Sequence, residues 1–290
     1  MGKLKVLEIV KSTWKLTFKT ICEHPRILFP FFITVLAEVF FLSVFYYAPR
    51  PPLVGVLGPP IKKFFGEAYL HYPVNFTLLP TLFYYGQIFV WLTVGVCMLG
   101  VTVSMINQIH EGRPSPSIIG SLNRAIRRYS PLFLFALLIF LLSLASFRIP
   151  RYLIMKFYFL PRGKFFSLQA FFFISFFVAI IFESFLVYGI PSVIIEGRSF
   201  IGALKRTFSI SKAMFIPTFV LVLSPRLLDL MMAFLKQKLP FVMVKTFPDI
   251  TLFVLGLGIA MTFITDLIVI TCATNLFLAK KDTEGAKIEH

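Results

Sequence analysis

The sequence predicts an all-α fold, a polytopic membrane helix bundle, and three observations carry that expectation. The chain of 290 residues is 58% hydrophobic and only 14% charged, with mean hydropathy +0.85, whereas a soluble domain carries about 25% charged residues. Its apolar residues come in long blocks that do not alternate with polar ones, which excludes β-barrel spans. Backbone groups in lipid must bond within their own segment, so helices remain.

Six blocks are long enough to cross about 30 Å of hydrocarbon. They fall near Ile27–Tyr47, Thr81–Ile106, Pro131–Phe147, Leu168–Ile194, Ala213–Leu235 and Thr251–Leu278. The third is short, and Pro217 and Pro225 are expected to break the fifth. The loop from Ala48 to Pro80 opens with "PRPPLVGVLGPP", which proline makes stiff. Residues 279–290 read as a polar tail.

Lys and Arg are more abundant in the N-terminal segment, in the connections after the second and fourth spans and in the C-terminal tail than in the other three connections. Lys11, Lys15, Lys19 and Arg26 flank the first span on its N-terminal side. The positive-inside rule then places both termini in the cytoplasm, in the plasma (inner) membrane of a prokaryote.

Those basic segments have a pattern of their own. "IGSLNRA" from Ile119 aligns with "IGALKRT" from Ile201: Ile, Gly, Leu and Arg coincide, and Glu-Gly-Arg precedes both. The N-terminal "EIVKSTWKLTFKTICEHPRILFPF" fits more loosely. Each reads as an amphipathic helix. Leu7, Val10, Trp14, Phe18 and Ile21 share one face of the first, with Lys11, Lys15 and Lys19 on another. In the second, Ile118, Leu122, Ile126 and Tyr129 oppose Arg124, Arg127 and Arg128. In the third, Ile201, Leu204 and Phe208 oppose Lys205, Arg206 and Lys212. Ser115, before Pro116, and Ser199 read as helix N-caps.

A basic amphipathic helix beside a span is expected to lie in the headgroup plane with its cations on phosphate. It either anchors the next span or forms a lipid-sensing or partner-docking collar. The expected organisation is three parallel helix-plus-hairpin repeats within one membrane domain, about 3–106, 113–194 and 199–278. Mitochondrial carriers share a six-span, three-unit plan, but their Pro-x-acid-x-x-basic signature is missing here, and the surface helices lie between hairpins.

The net charge of +16 fits contact with anionic membrane lipids. No nucleic-acid recognition module accompanies it. Cys22, Cys97 and Cys272 are far apart and read as small hydrophobes. His24, His71, His110 and His290 show no metal-ligand spacing, and HExxH, Walker and G-x-S-x-G motifs are absent from the sequence. No cofactor, metal site or catalytic residue is expected.

Ionisable residues inside spans are the candidate site, because each costs at least about 2.5 kcal/mol at the bilayer centre. These are Glu38, Glu183, Arg226, Asp229 and Asp266. At 1.5 Å per residue, Glu38, Glu183, Arg226 and Asp266 all fall roughly 16–20 Å deep. Two readings stand: a polar pathway gripping a proton or cation, or a buried structural network in which Arg226 pairs with an acid such as Asp229. If Pro225 instead ends a short span, Arg226 and Asp229 emerge at the outer surface.

The stretch "YGIPSVIIEGRSFIGALKRTFSISKAMF", Tyr188–Phe215, resembles a motif of bacterial and archaeal six-span proteins. In them a span ends in Pro, aliphatic residues and Glu-Gly, followed by an Ala-Leu-Lys-Arg-Ser/Thr helix. "HPRILFPFF" resembles the start of their first span. The YciC-like inner-membrane proteins and the membrane domain fused to some glycerophosphodiester phosphodiesterases are similar in style. The resemblance implies a six-span fold, and it supplies no catalytic residues to this chain, which carries no phosphodiesterase domain. The leading functional reading is a membrane component without enzymatic activity that organises or senses lipid or supports a partner. The alternatives are a small transporter or lipid-handling protein using the midplane charges, and a membrane-embedded lipid enzyme.

Overall fold

The computed structural model describes residues 3–113, 115–157, 164–245 and 247–285. Among them the regular structure is helical throughout. Six helical stretches are long and apolar enough to cross a membrane: Pro25–Tyr47, Asn75–His110, Tyr129–Ile149, Phe172–Ile195, Phe200–Lys236 and Ile250–Glu284. This is an integral membrane protein of the all-α class. Two compact units divide the chain. The first comprises Met1–Leu28, Val96–Arg226 and Leu267–His290, the second Phe29–Gly95 and Leu227–Asp266.

In the first unit, α5 (Val96–His110), α9 (Gly189–Ile195) and the last part of α11 (Ile250–Gly285) are buried almost along their whole length. Their polar residues are satisfied locally. Thr102, Thr271 and Thr274 donate to the carbonyls four residues back, Met98, Leu267 and Ile270, at 3.0, 2.7 and 2.7 Å. Glycine permits close approach at two points. A Cβ on Gly100 would come within 2.9 Å of Leu132, and one on Gly189 within 2.2 Å of the Phe135 ring.

The expected fourth span is two helices rather than one. α8 (Lys164–Leu186) ends before α9 begins at Gly189. Pro191 lacks the N–H that would continue the ladder, and Gly189 is pinned against Phe135 on α7 (Tyr129–Phe157). The break leaves a carbonyl over at Phe185, and the Ser211 hydroxyl donates to it at 2.8 Å.

The fifth span also departs from expectation. α10 runs from Phe200 to Lys245, so the basic segment and the span are one element, and its irregular residue is Met214 (φ −123°, ψ 24°). Pro217 crowds the carbonyl four residues back, and the chain relieves this next door at Met214, whose carbonyl takes a bond from the Thr218 hydroxyl at 2.7 Å. Pro225 is carried inside the helix and ends nothing. Arg226 and Asp229 are therefore interior to the span. The polar tail is also shorter than expected, because α11 continues to Gly285; residues 286–290 of the tail lie outside the described residues.

The second unit holds α2 (Phe29–Tyr47), α3 (Val54–Phe64) and α4 (Asn75–Val90), which passes through a π-turn at Trp91–Gly95. The start of α11 joins them, and Leu42, Phe76, Leu79, Phe83, Leu255 and Ile259 form their shared apolar core. Gly86 lets α4 approach α2: a Cβ there would meet Phe45 at 2.7 Å.

Candidate functional site: basic helices and buried charges

Three helices of the first unit carry the cationic pattern: α1 (Lys3–Glu23), α6 (Ile118–Arg127) and the first turns of α10. On each, the most buried side is lined mainly by small residues, with Ile210 on α10 the bulky exception. Thr13, Thr17 and Thr20 are buried on α1, Ser121 and Ala125 on α6, and Ala203, Thr207 and Ser211 on α10. These i, i+3 and i+4 steps form one line along a helix, and small residues let backbones approach closely. The large apolar residues stand outward. Ile119 is 82% exposed and Ile201 64%, while Leu7, Phe18, Ile126 and Phe208 are exposed too. Ser121 and Ala125 are the alignment partners of Ala203 and Thr207, as Ile119 and Ile126 are of Ile201 and Phe208.

Side chains fasten these helices. On α1, Thr17 donates to Cys272 Sγ at 3.3 Å and accepts from the Asn275 amide at 3.4 Å. The start of α6 is held by Gln108, whose carbonyl oxygen accepts from the Ser117 N–H at 2.9 Å and whose amide donates to Ser121 Oγ at 2.8 Å. The N-cap of α6 is Ser117, which accepts from Gly120 N at 3.1 Å, and not Ser115. Ser115 instead receives a bond from Arg26. Ser199 immediately precedes α10, and its carbonyl accepts from Ala203 N at 2.8 Å. The two Glu-Gly-Arg turns share a backbone feature. Gly112 and Gly197 both have positive φ, +84° and +67°, the conformation that ends a helix cheaply only at glycine.

Lys11, Lys15, Lys19, Arg124, Arg127, Arg128, Lys205 and Lys212 are exposed. Arg206 differs. It is held by Glu196 at 3.1 Å and by Glu284, so it serves as a brace between the α9–α10 turn and the end of α11.

The intramembrane charges fall into two groups, one per unit. In the first, the Arg226 guanidinium grips Glu183 as a fork, Nε to both carboxylate oxygens at 3.1 Å and Nη2 to Oε1 at 2.6 Å. Such a pair is a charge-assisted, bidentate bond. In the second, Glu38 is 6% exposed, and the Gln87 amide donates to it at 3.1 Å. Asp266 and Lys236 lie within electrostatic range of Glu38, and Asp229 within that of Lys236. The Thr265 hydroxyl donates to Asp229 at 3.2 Å.

Gln87 and Lys236 went unread in the sequence. Lys236 follows the expected end of the fifth span, yet α10 continues past it. Its ammonium lies along Gly258, where a Cβ would come within 3.0 Å of Nζ. The available signal was its seven-residue spacing from Asp229, two helical turns on one face. Among the described residues, no group of three or more His, Cys, Asp or Glu side chains is placed to hold a metal ion. The chain matches no protein-family model, no curated protein and no solved structure.

Proposed function

We propose that this protein is a non-enzymatic component of a prokaryotic inner membrane that grips an anionic lipid surface through α1, α6 and the start of α10. The proposal places both termini in the cytoplasm and takes the chain as three helix-plus-hairpin repeats, in line with the resemblance carried by Tyr188–Phe215. One observation supports it above the others: on all three helices small residues line the buried side while Leu7, Phe18, Ile119, Ile126, Ile201 and Phe208 stand exposed, with exposed cations alongside. A helix buried in a soluble interface would show the reverse. Three faces with three partners (protein, acyl chains, phosphate) describe an interfacial helix.

The test is lipid-dependent stability. Phosphatidylglycerol added to the detergent-purified chain should raise its unfolding midpoint, and phosphatidylcholine should not, since a ligand that binds only the folded state stabilises it by mass action. Replacing Arg124, Arg127, Lys205 and Lys212 with glutamine should remove the difference. Equal effects of the two lipids would refute the reading.

A transporter reading draws on a separate observation, the gathering of Glu38, Asp229, Asp266 and Lys236 in the second unit. It requires that Glu38→Gln leave folded yield intact while abolishing gradient-driven uptake by reconstituted vesicles.

A further inference from the structure

The connection between the first two spans holds an element that the reading above does not use. α3 lies between α2, which ends at Tyr47, and α4, which begins at Asn75. In the chain α1 precedes the first span and α3 follows it. One side of α3 is seated on its own unit: Gly58 and Ile61 are buried, Ile61 with Ala48 and Leu78. The open side carries Val56 and Phe64, each 73% exposed. Lys63, seven residues from Val56, shares that side, and Lys62 stands further round; both are exposed.

We propose that α3 is a second lipid-binding device, an interfacial helix of the opposite leaflet whose occupant is the anionic headgroup layer and the acyl-chain ends beneath it. Two observations choose lipid over a protein partner. Aromatic residues cluster where a span meets headgroups, and here Tyr47, Phe65 and Tyr72 are exposed beside Phe64. The cations are set among them: Arg50 lies 4.9 Å over the Tyr46 ring, and Lys63 Nζ lies 5.7 Å from the Phe64 ring.

Single cysteines at Val56, Phe64 and Lys62, in the full chain with Cys22, Cys97 and Cys272 replaced by alanine, would be labelled with an environment-sensitive fluorophore. The labelled protein goes into phosphatidylcholine–phosphatidylglycerol vesicles. At Val56 and Phe64, quenching by doxyl-labelled lipid should exceed quenching by aqueous iodide several-fold; at Lys62 the order should reverse. Iodide quenching at all three positions would overturn the proposal. Shielding of Val56 and Phe64 from both quenchers would also overturn it, showing that a protein or a second copy covers the face. Should the cysteine-free background not fold, the unaltered chain serves. Photoreactive phosphatidylglycerol should then give adducts within residues 54–65, and their absence there, with adducts on the spans, would reject the proposal.

Discussion

The two units bury charge in different ways. In the first, the Arg226 guanidinium grips the Glu183 carboxylate in a bidentate fork. In the second, Lys236 and Asp266 lie within electrostatic range of Glu38 and Asp229 within that of Lys236, with Gln87 and Thr265 supplying neutral hydrogen bonds. A matched pair resists the loss of either member, because the survivor is left charged in a poor solvent.

That contrast is open to direct attack, and the largest effect should come from the pair. Glu183→Gln removes the charge from the carboxylate that forks onto Arg226 and should cost about 3–5 kcal/mol of stability, measured by chemical unfolding in detergent. Changing both residues to methionine should recover most of it. Next in size is glycine packing. Gly189→Ala drives a Cβ to 2.2 Å from the Phe135 ring and should cost about 1–3 kcal/mol. Gly86→Ala in the second unit meets the Phe45 ring at 2.7 Å, with Phe41 at 3.4 Å, and should cost less. Glu38→Gln keeps a hydrogen-bonding partner for Gln87 and removes a negative charge. It should leave stability within about 1 kcal/mol or raise it, and a loss as large as that of Glu183→Gln would erase the contrast.

The smallest effect is expected at Glu67, outside the spans. Lys62, at 2.8 Å, holds its carboxyl below the usual carboxylate range. A carboxyl depressed in the folded state contributes stability above its unfolded pKa, and that contribution is lost as pH falls through the lower folded value. Because the pair is exposed, Glu67→Gln should not change the midpoint resolvably at neutral pH.

The spans were legible in the sequence because apolar runs of this length have few alternatives in lipid, and the basic helices because bulky and cationic residues recur at helical spacing. What lay hidden depends on contacts between distant residues. The break before Gly189 needs the Phe135 ring, and the irregularity at Met214 rather than at Pro217 needs Thr218. That Arg226 would grip Glu183, far away in sequence, is decided by helix packing. The small-residue lines on α1, α6 and α10 were missed because alanine, serine and threonine contribute little to any hydrophobic pattern while deciding which side of a helix meets its neighbour. Lys236 was misplaced because a hydropathy boundary is drawn by the lysine itself.

Cysteine accessibility in oriented membrane vesicles tests the three basic helices most directly. Single cysteines at Lys15, Arg127 and Lys205 would be exposed to a membrane-impermeant thiol reagent from each side in turn, beside cysteines at Ile119 and Ile201. The account predicts that the three cationic positions react from one side only, the same side, while Ile119 and Ile201 are shielded by lipid. Labelling of Arg127 and Lys205 from opposite sides, or free labelling of Ile119 and Ile201, would contradict it.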